Sequence, residues 1–395
     1  MRPFRWYMPT CLHFGVDALD LLSRLPLPGK KALLVTGAGG SARRFGHLER
    51  VLALLEENAC KAVVFDKIHP NPTSTQVDEG AMLAREEGCE FVLGLGGGSS
   101  LDASKSIALM LSNEGAYWDY MPTATGKNTV EKNKVPKHPA KPIVAIPTTS
   151  GTGSETDPWT VITRLESHEK LGWGCDSTFP QLAIVDPKLM LSVPVAMTAM
   201  TGMDAFFHAV EAYLATCHQP GCDALALDVV ARIAKWLPRA VEKPQDVEAR
   251  TQMAWAATEA GICESLSSCI SHHSLEHALS AFHPELPHGA GLTMLSSAYF
   301  SSLLPAVPER MAELARAMGQ KAQAEAFLVG LKKLIFEVGL EGLKLSDYGI
   351  RPEAFPVLAK NAFDVMGFLF KLTPMKQDEN ALIHILQQAW REQEE

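Results

Sequence analysis

The chain of 395 residues has eight cysteines but no C-x-x-C pair, so neither a thiolate zinc ribbon nor a disulfide framework is indicated. Reduced thiols and a cytoplasmic protein are expected. It also lacks a basic excess: 36 Lys and Arg against 45 Asp and Glu leave a net charge of −9, without the positive stripe that a phosphate backbone demands. No nucleic-acid partner is expected. Behind the two arginines of MRPFRWYMPTCLHFG no signal-peptide core follows before Asp17. The uncharged stretch 289–308 is diluted by Ser, Thr, Gly and Pro below the hydrophobicity of a membrane span, so it reads as a helix buried in a bundle and no membrane partner is expected. Short-period repeats and low-complexity tracts are missing as well, which removes solenoids. What remains is an ordinary globular composition, 47% hydrophobic and 21% charged, long enough for two domains.

Five short β-branched or Leu-rich runs alternate with helical stretches: KALLVT (31–36), KAVVF (61–65), FVLGLG (91–96), PIVAIP (142–147) and LAIVD (182–186). That rhythm predicts crossover βαβ units and a mostly parallel sheet. The apolar faces of HLERVLALLEEN and GAMLAREEG are then expected to cover the sheet. The lysine-rich segment 123–141 interrupts the rhythm and reads as a surface excursion, with a hairpin as one form it can take. Beyond Pro187 no comparable β-run occurs, and amphipathic stretches such as DALALDVVARIAKWLPRAV and AEAFLVGLKKLIFEVG dominate. The expected fold class is α/β plus all-α. A Rossmann-like nucleotide-binding domain with a mostly parallel sheet takes 1–190, and a helical metal-binding domain takes 191–395.

Gly37, Gly39 and Ala42 spell G-x-G-x-x-A after the first run, with Asp66 ending the next; this imitates a dinucleotide fingerprint, although a plain strand-to-helix turn fits equally well. The second cluster, GLGGGSSLDASK (94–105), enters a helix directly. Amides left unpaired at a helix start can cradle a pyrophosphate, and Gly97 and Gly98 let it approach the backbone closely. No Gly-Lys-Ser/Thr follows, so phosphoryl transfer of the P-loop type is disfavoured. IPTTSGTGSETDP (146–158) ends the next strand at the edge where open α/β sheets bind ligands. Thr148 and Thr149 are placed there either to touch a nucleotide or to cap a turn.

In the helical half Asp204 and His208 are four apart and share one helix face, His273 and His277 repeat the spacing, and His288 follows Pro287. One carboxylate with imidazoles suits a first-row divalent ion. With thirteen histidines in the chain, His218, His272 and His283 read as bystanders. His273-x-x-Glu276-His277 also spells the inverted zinc-protease motif, in which the glutamate is a general base. A zinc metallohydrolase built on it leaves the glycine loop and the Asp204/His208 pair without a use.

Assembled, these segments resemble the iron-containing, or group III, alcohol dehydrogenases. The likeness runs through FDKIHPNPT, GLGGGSSLDASK, IPTTSGTGSET, AIVDPKLMLSVP, TGMDAFFHAVEAY, HALSAFHPELPHGAGL and LAKNAFDVMG, in that order over nearly the whole chain. It implies a dehydroquinate synthase-like pairing of the two domains with the active site in the cleft between them. It makes Asp204, His208, His273 and His288 the ligands of Fe(II), with zinc as the alternative metal, and His277 a nearby non-ligand that relays the proton. It puts the pyrophosphate on Gly97, Gly98 and Ser99 rather than on residues 37–42, and lines the cofactor site with Asn71, Asp102, Thr148, Thr149 and Lys170. NAD-using members look to have an aspartate where this chain has Gly37; without that acid, and with Ser41, Arg43 and Arg44 close by, NADP is favoured over NAD. The implied function is hydride transfer between NAD(P) and a small primary alcohol or aldehyde. Phe206 and Phe282, near the metal helix, read equally as apolar neighbours of such a substrate or as core. A catalytically silent homologue is the other alternative, opposed by the presence of all four ligand positions. Dimers and larger assemblies are common among such proteins, so a homo-oligomer is expected.

Overall fold

The computed structural model describes residues 3–122 and 134–394. Most of the expected surface excursion lies outside the described residues, and 134–141 carries neither helix nor strand. Eight strands are described: β1 (Cys11–Phe14), β2 (Lys31–Gly37), β3 (Lys61–Ile68), β4 (Phe91–Gly96), β5 (Ile143–Pro147), β6 (Thr160–Arg164), β7 (Glu169–Trp173) and β8 (Leu182–Val185). Six of them form one parallel sheet in the order β1-β8-β5-β4-β2-β3, while β6 and β7 make a separate antiparallel pair. All five expected runs are strands of the parallel sheet. The edge strand β1 and the β6/β7 hairpin were not expected: β1 has four residues and no alternation to read, and the hairpin strands are broken by charged residues at Arg164 and Glu169.

Helices α1 (Ser41–Arg44) and α2 (His47–Glu57) lie on one face, where Leu48, Val51, Leu54 and Leu55 pack on Leu34, Leu93 and Val144. Helices α3 (Ser74–Glu86) and α4 (Gly98–Ser112) cover the other, with Val77, Ala81 and Ile107 against Leu33, Val35 and Val92. Strands covered on both faces have no wet side, which is why β4 and β5 are buried along their whole length and read as continuous apolar runs. The β4–β5 register sets Gly96 beside Pro147. The glycine loop and the hydroxyl loop therefore leave the sheet side by side.

The remainder is helical: α5 (Val195–Leu214), α6 (Pro220–Glu242), α7 (Val247–Leu266), α8 (Ser271–Phe282), α9 (His288–Leu303), α10 (Pro308–Ala317), α11 (Ala324–Glu337), α12 (Phe355–Phe370) and α13 (Glu379–Glu394). From Gly202 to Leu214 every residue of α5 is buried, which makes it the central rod of this half. Of the uncharged stretch 289–308, residues up to Leu303 form the largely buried helix α9, as expected, and the remainder turns into α10. The buried Arg250 guanidinium bonds Thr198 Oγ1 (2.7 Å) and the Val193 carbonyl (3.2 Å), so α7 fixes the start of α5 just after the sheet ends.

Two glycines couple the halves. Gly153, at φ +68° in the hydroxyl loop, lies so close to Gly261 of α7 that a Cβ on Gly261 would stand 2.2 Å from the Gly153 carbonyl oxygen. Backbone cannot yield as a side chain tip can, so Gly261→Ala is expected to cost about 1–3 kcal/mol, read as a lower midpoint in denaturant unfolding. A second expectation concerns Glu259 on the same helix, whose Oε2 is buried with no hydrogen-bond partner. Burial, then the neighbouring Asp228, pushes its carboxyl from 4.5 up to about 8. The folded state thus keeps a proton that the unfolded chain gives up, and stability contributed at low pH is lost as pH rises through this window. Glu259→Gln is expected to flatten that decline, with a larger gain in Tm at pH 9 than at pH 5.

Candidate active site

Asp204 and His208 point from one face of α5, His273 and His277 from one face of α8, and His288 is the first residue of α9. Helix α9 reaches α5 because Gly289 has no side chain: a Cβ there would lie 2.1 Å from the Met200 carbonyl oxygen. The approach brings Asp204 Oδ1 to 3.7 Å from His208 Nε2, 3.8 Å from His273 Nε2 and 3.5 Å from His288 Nε2. Asp204 Oδ1 and His273 Nε2 are buried with no hydrogen-bond partner. An orphaned carboxylate oxygen ringed by imidazole nitrogens costs free energy unless something cationic joins them. The donor set, one oxygen and three nitrogens, fits a first-row divalent metal ion.

Two glutamates stand behind these groups: Glu211, which was not singled out from the sequence, and Glu276, which was named there only as the general base of the hydrolase alternative. Glu211 Oε1 accepts hydrogen bonds from His273 Nδ1 (2.6 Å) and His272 Nδ1 (2.7 Å), while Glu211 Oε2 accepts the Ile270 amide (2.8 Å). Asp204, His208 and Glu211 stand at i, i+4 and i+7 of one helix face, a spacing that could have revealed the third member. Glu276 accepts from His288 Nδ1 and faces Lys170 Nζ at 3.4 Å. This explains why the hydrolase reading is not supported: Glu276 is wholly buried and turned to His288 and Lys170.

Burial alone would push Asp204 and Glu211 up. His208, His288 and His273 override it and bring Asp204 down to about 2, and His273 and His272 hold Glu211 well below the usual carboxylate range. Burial also lowers His208 to about 4, and burial with the Lys170 charge holds His277 and His288 well below their ordinary value. These three imidazoles are neutral at physiological pH, the state in which a histidine can ligate a metal or take a proton.

A cleft enclosing about 910 Å³, part of it open to solvent, lies over the cluster. Of the residues expected at the site, Asn71, Gly98, Ser99, Asp102, Lys170, His208, His273, His277 and His288 line it, with Asp204 just behind. Gly98 opens α4 and Gly97 caps it, so the unpaired first amides of that helix face the cleft end of the sheet. Thr152 packs where a Cβ of Gly98 would be, at 2.4 Å, and Thr149 where one of Gly97 would be, at 3.1 Å. Thr148 bonds through its amide to Gly96 (2.9 Å). Neither Thr148, Thr149, Gly97 nor Gly37 lines the cleft. Asp102 is committed to structure, accepting from Ser154 Oγ (2.6 Å) and the Val161 amide (2.9 Å), and Asn71 ties the sheet half to α8 through the Pro284 carbonyl (3.0 Å). Lys170 Nζ donates to Ser280 Oγ (2.8 Å). Arg43 pairs with Glu49 (3.4 Å) and Asp66 (3.7 Å), and Arg44 lies over the Phe45 ring.

For Phe206 and Phe282 the packing reading holds and the substrate reading does not. Phe206 is packed inside the helical core against Phe207 and Phe327, and Phe282 stacks on His168, because on α5 and α8 their faces turn away from the cluster. The apolar wall of the cleft is made instead by Trp159, Val161, Met366, Phe368 and Leu369.

A parallel sheet whose glycine-led helix looks across a cleft at an Asp/His cluster on a helical half is a dehydrogenase architecture shared with known proteins. The model described as iron-containing alcohol dehydrogenase matches residues 9–187, and that of the C-terminal part of the Fe-containing alcohol dehydrogenase family matches 198–390. The chain belongs to the iron-containing alcohol dehydrogenase family. It is 33% identical to 1,3-propanediol dehydrogenase of Klebsiella pneumoniae, covering 98% of this chain and 99% of the relative, and 36% identical to the NAD-dependent methanol dehydrogenase of Bacillus methanolicus, covering 91% and 93%. Among solved structures, an archaeal halo-thermophilic Red Sea brine pool alcohol dehydrogenase superposes with a TM-score of 0.93 at 32% identity, over 98% of this chain and 100% of that one. No helix among the described residues is long and apolar enough to cross a membrane.

Because Glu211 fixes the ring of His273, Glu211→Gln is expected to weaken zinc or cobalt binding about 10–100-fold, the usual effect of removing an outer hydrogen bond to a ligand. Competition titration of the metal-free protein against a chelator reads it directly.

Proposed function

We propose that the protein is a metal-dependent alcohol dehydrogenase, and in reverse an aldehyde reductase, that passes hydride between a small primary alcohol and NAD(P). The observation that carries this reading is the convergence of Asp204 Oδ1 with Nε2 of His208, His273 and His288, two of those four atoms buried without a partner, beneath the cleft that α4 enters. In this reading Asp204, His208, His273 and His288 hold the metal, iron(II) by family and zinc as the alternative. When bound, the ion supplies Lewis acidity toward the alcohol oxygen and the nicotinamide supplies the hydride acceptor.

The rest is the work of the chain itself. Amides of Gly97, Gly98 and Ser99 bind the pyrophosphate at the start of α4. Asn71, Asp102, Thr148, Thr149 and Lys170 shape the nucleotide site around it, and Gly37 leaves room at the ribose. Glu211 and Glu276 hold the Nδ1 protons of His273 and His288, which turns Nε2 of each toward Asp204. His277 lines the cleft and is kept neutral, so its ring can take the alcohol proton and pass it to solvent. Trp159, Val161, Met366 and Leu369 exclude water.

NADP is the preferred cofactor in this reading. Position 37 has no acid to repel a 2′-phosphate and Arg44 has no ion pair among the described residues, although Arg43 is engaged by Glu49 and Asp66 and one relative is named NAD-dependent. The domain boundary at 190/191, a homo-oligomeric state and a cytoplasmic setting belong to the same proposal.

The test is anaerobic purification, metal analysis and an absorbance assay with NADPH and NADH against short aldehydes after iron(II) or zinc reconstitution. Metal-dependent oxidation of NADPH exceeding that of NADH is the expected outcome. Stoichiometric metal with no turnover of either cofactor across a broad aldehyde panel would overturn the proposal. His277→Ala is expected to lower kcat about 10²-fold or more, and full activity at every pH would remove its role.

A further inference from the structure

Between α7 and α8 the chain makes a short turn, 267–270, whose position is set by the carboxylate that also sets His273: Glu211 accepts the Ile270 amide at 2.8 Å and His273 Nδ1 at 2.6 Å. The residue before Ile270 is Cys269, 5% exposed, unbridged, and part of the cleft lining. Its Sγ and one ring nitrogen each of His208 and His273 all lie within 4.8 Å of one another. His273 Nε2, one of the atoms that converge on Asp204 Oδ1, is buried with no hydrogen-bond partner. A thiol is a poor partner for an imidazole that needs one, but a strong partner for a cation that the imidazole holds.

We propose that Cys269 is a fifth, thiolate ligand of the metal held by Asp204, His208, His273 and His288, and that it tilts the site toward zinc or cobalt over iron. The inference rests on the reading of those four residues as ligands and adds a soft donor to a set of one oxygen and three nitrogens. As the sulfur–metal bond forms, the S–H bond breaks and its proton leaves to solvent, with no change of oxidation state. One cation can meet His208, His273 and Cys269 because a donor atom of each already lies within 4.8 Å of the other two. Glu211 holds both the residue after Cys269 and one of the imidazoles, which keeps the thiol beside the cluster.

The full-length protein, made metal-free and loaded with cobalt(II), tests this without any activity measurement. One cobalt per chain with a thiolate-to-cobalt charge-transfer band in the near ultraviolet is expected for the wild type. Cys269→Ser should keep the cobalt and lose the band, whereas Cys217→Ser, at an exposed cysteine, should keep both. Competition between zinc and iron(II) should show the preference for zinc falling at least tenfold in Cys269→Ser. X-ray absorption of the zinc-loaded wild type should show one sulfur neighbour at about 2.3 Å, which decides the matter even if the variant does not fold. Stoichiometric cobalt without the band, and zinc with only nitrogen and oxygen neighbours, would overturn this proposal alone. A wild type that binds no metal would overturn the four-ligand reading with it.

Discussion

The carboxylate of Glu211 is the constraint on which the candidate site depends. It is wholly buried on α5, where an ion without partners would be far too costly, and it is held there by two imidazole N–H groups and one backbone amide. Those three donors belong to α8 and the turn before it. A single side chain therefore sets the distance between α5 and α8, the tautomer of His273 and the course of residues 267–270. The second buried acid, Glu276, does the same between α8, the start of α9 and the β7 strand through His288 and Lys170. The two glutamates make the Asp/His cluster a consequence of helix packing rather than of any one loop.

Close backbone contact does for the halves what these acids do for the helices. Gly153 against Gly261 lays the hydroxyl loop on α7, and Gly289 against Met200 sets His288 over α5. The buried Lys105–Asp157 pair, at 2.7 Å, ties α4 to the end of the same loop, and Asp102 fixes Ser154 and the hairpin amide of Val161. Asp102 and Asn71 thus brace the cleft walls as well as line the space between them. A cleft assembled from rigid helix ends and glycine contacts arrives with its donors aimed, so little ordering remains when a ligand binds.

The places where the sequence leaves two readings open are instructive about range. Of the two readings open for Phe206, substrate neighbour or core, the structure takes the core: two residues along a helix turn a side chain through roughly 200° from Asp204 and carry it inward. The GxGxxA turn at 37–42 has the letters of a nucleotide loop and lies off the cleft, whereas Gly98 and Ser99 of the second glycine loop open onto it. The letters alone cannot distinguish the two turns, because the sheet order that places β4 beside β5 is set by long-range pairing.

By itself the sequence determined what depends on local spacing: five parallel strands from their apolar runs, the glycine-led helix, the pairs Asp204/His208 and His273/His277 from helical periodicity, and the family from motifs kept in order along the chain. Only the tertiary structure decided what depends on which elements meet. It brought His288 to Asp204, gave Glu211 and Glu276 their imidazole partners, turned the H-x-x-E-H glutamate away from a hydrolytic role and set Cys269 beside His208 and His273. The physical reason is that a helix fixes which side chains share its face, while the approach of one helix to another is decided by small residues and buried charges far apart in the chain.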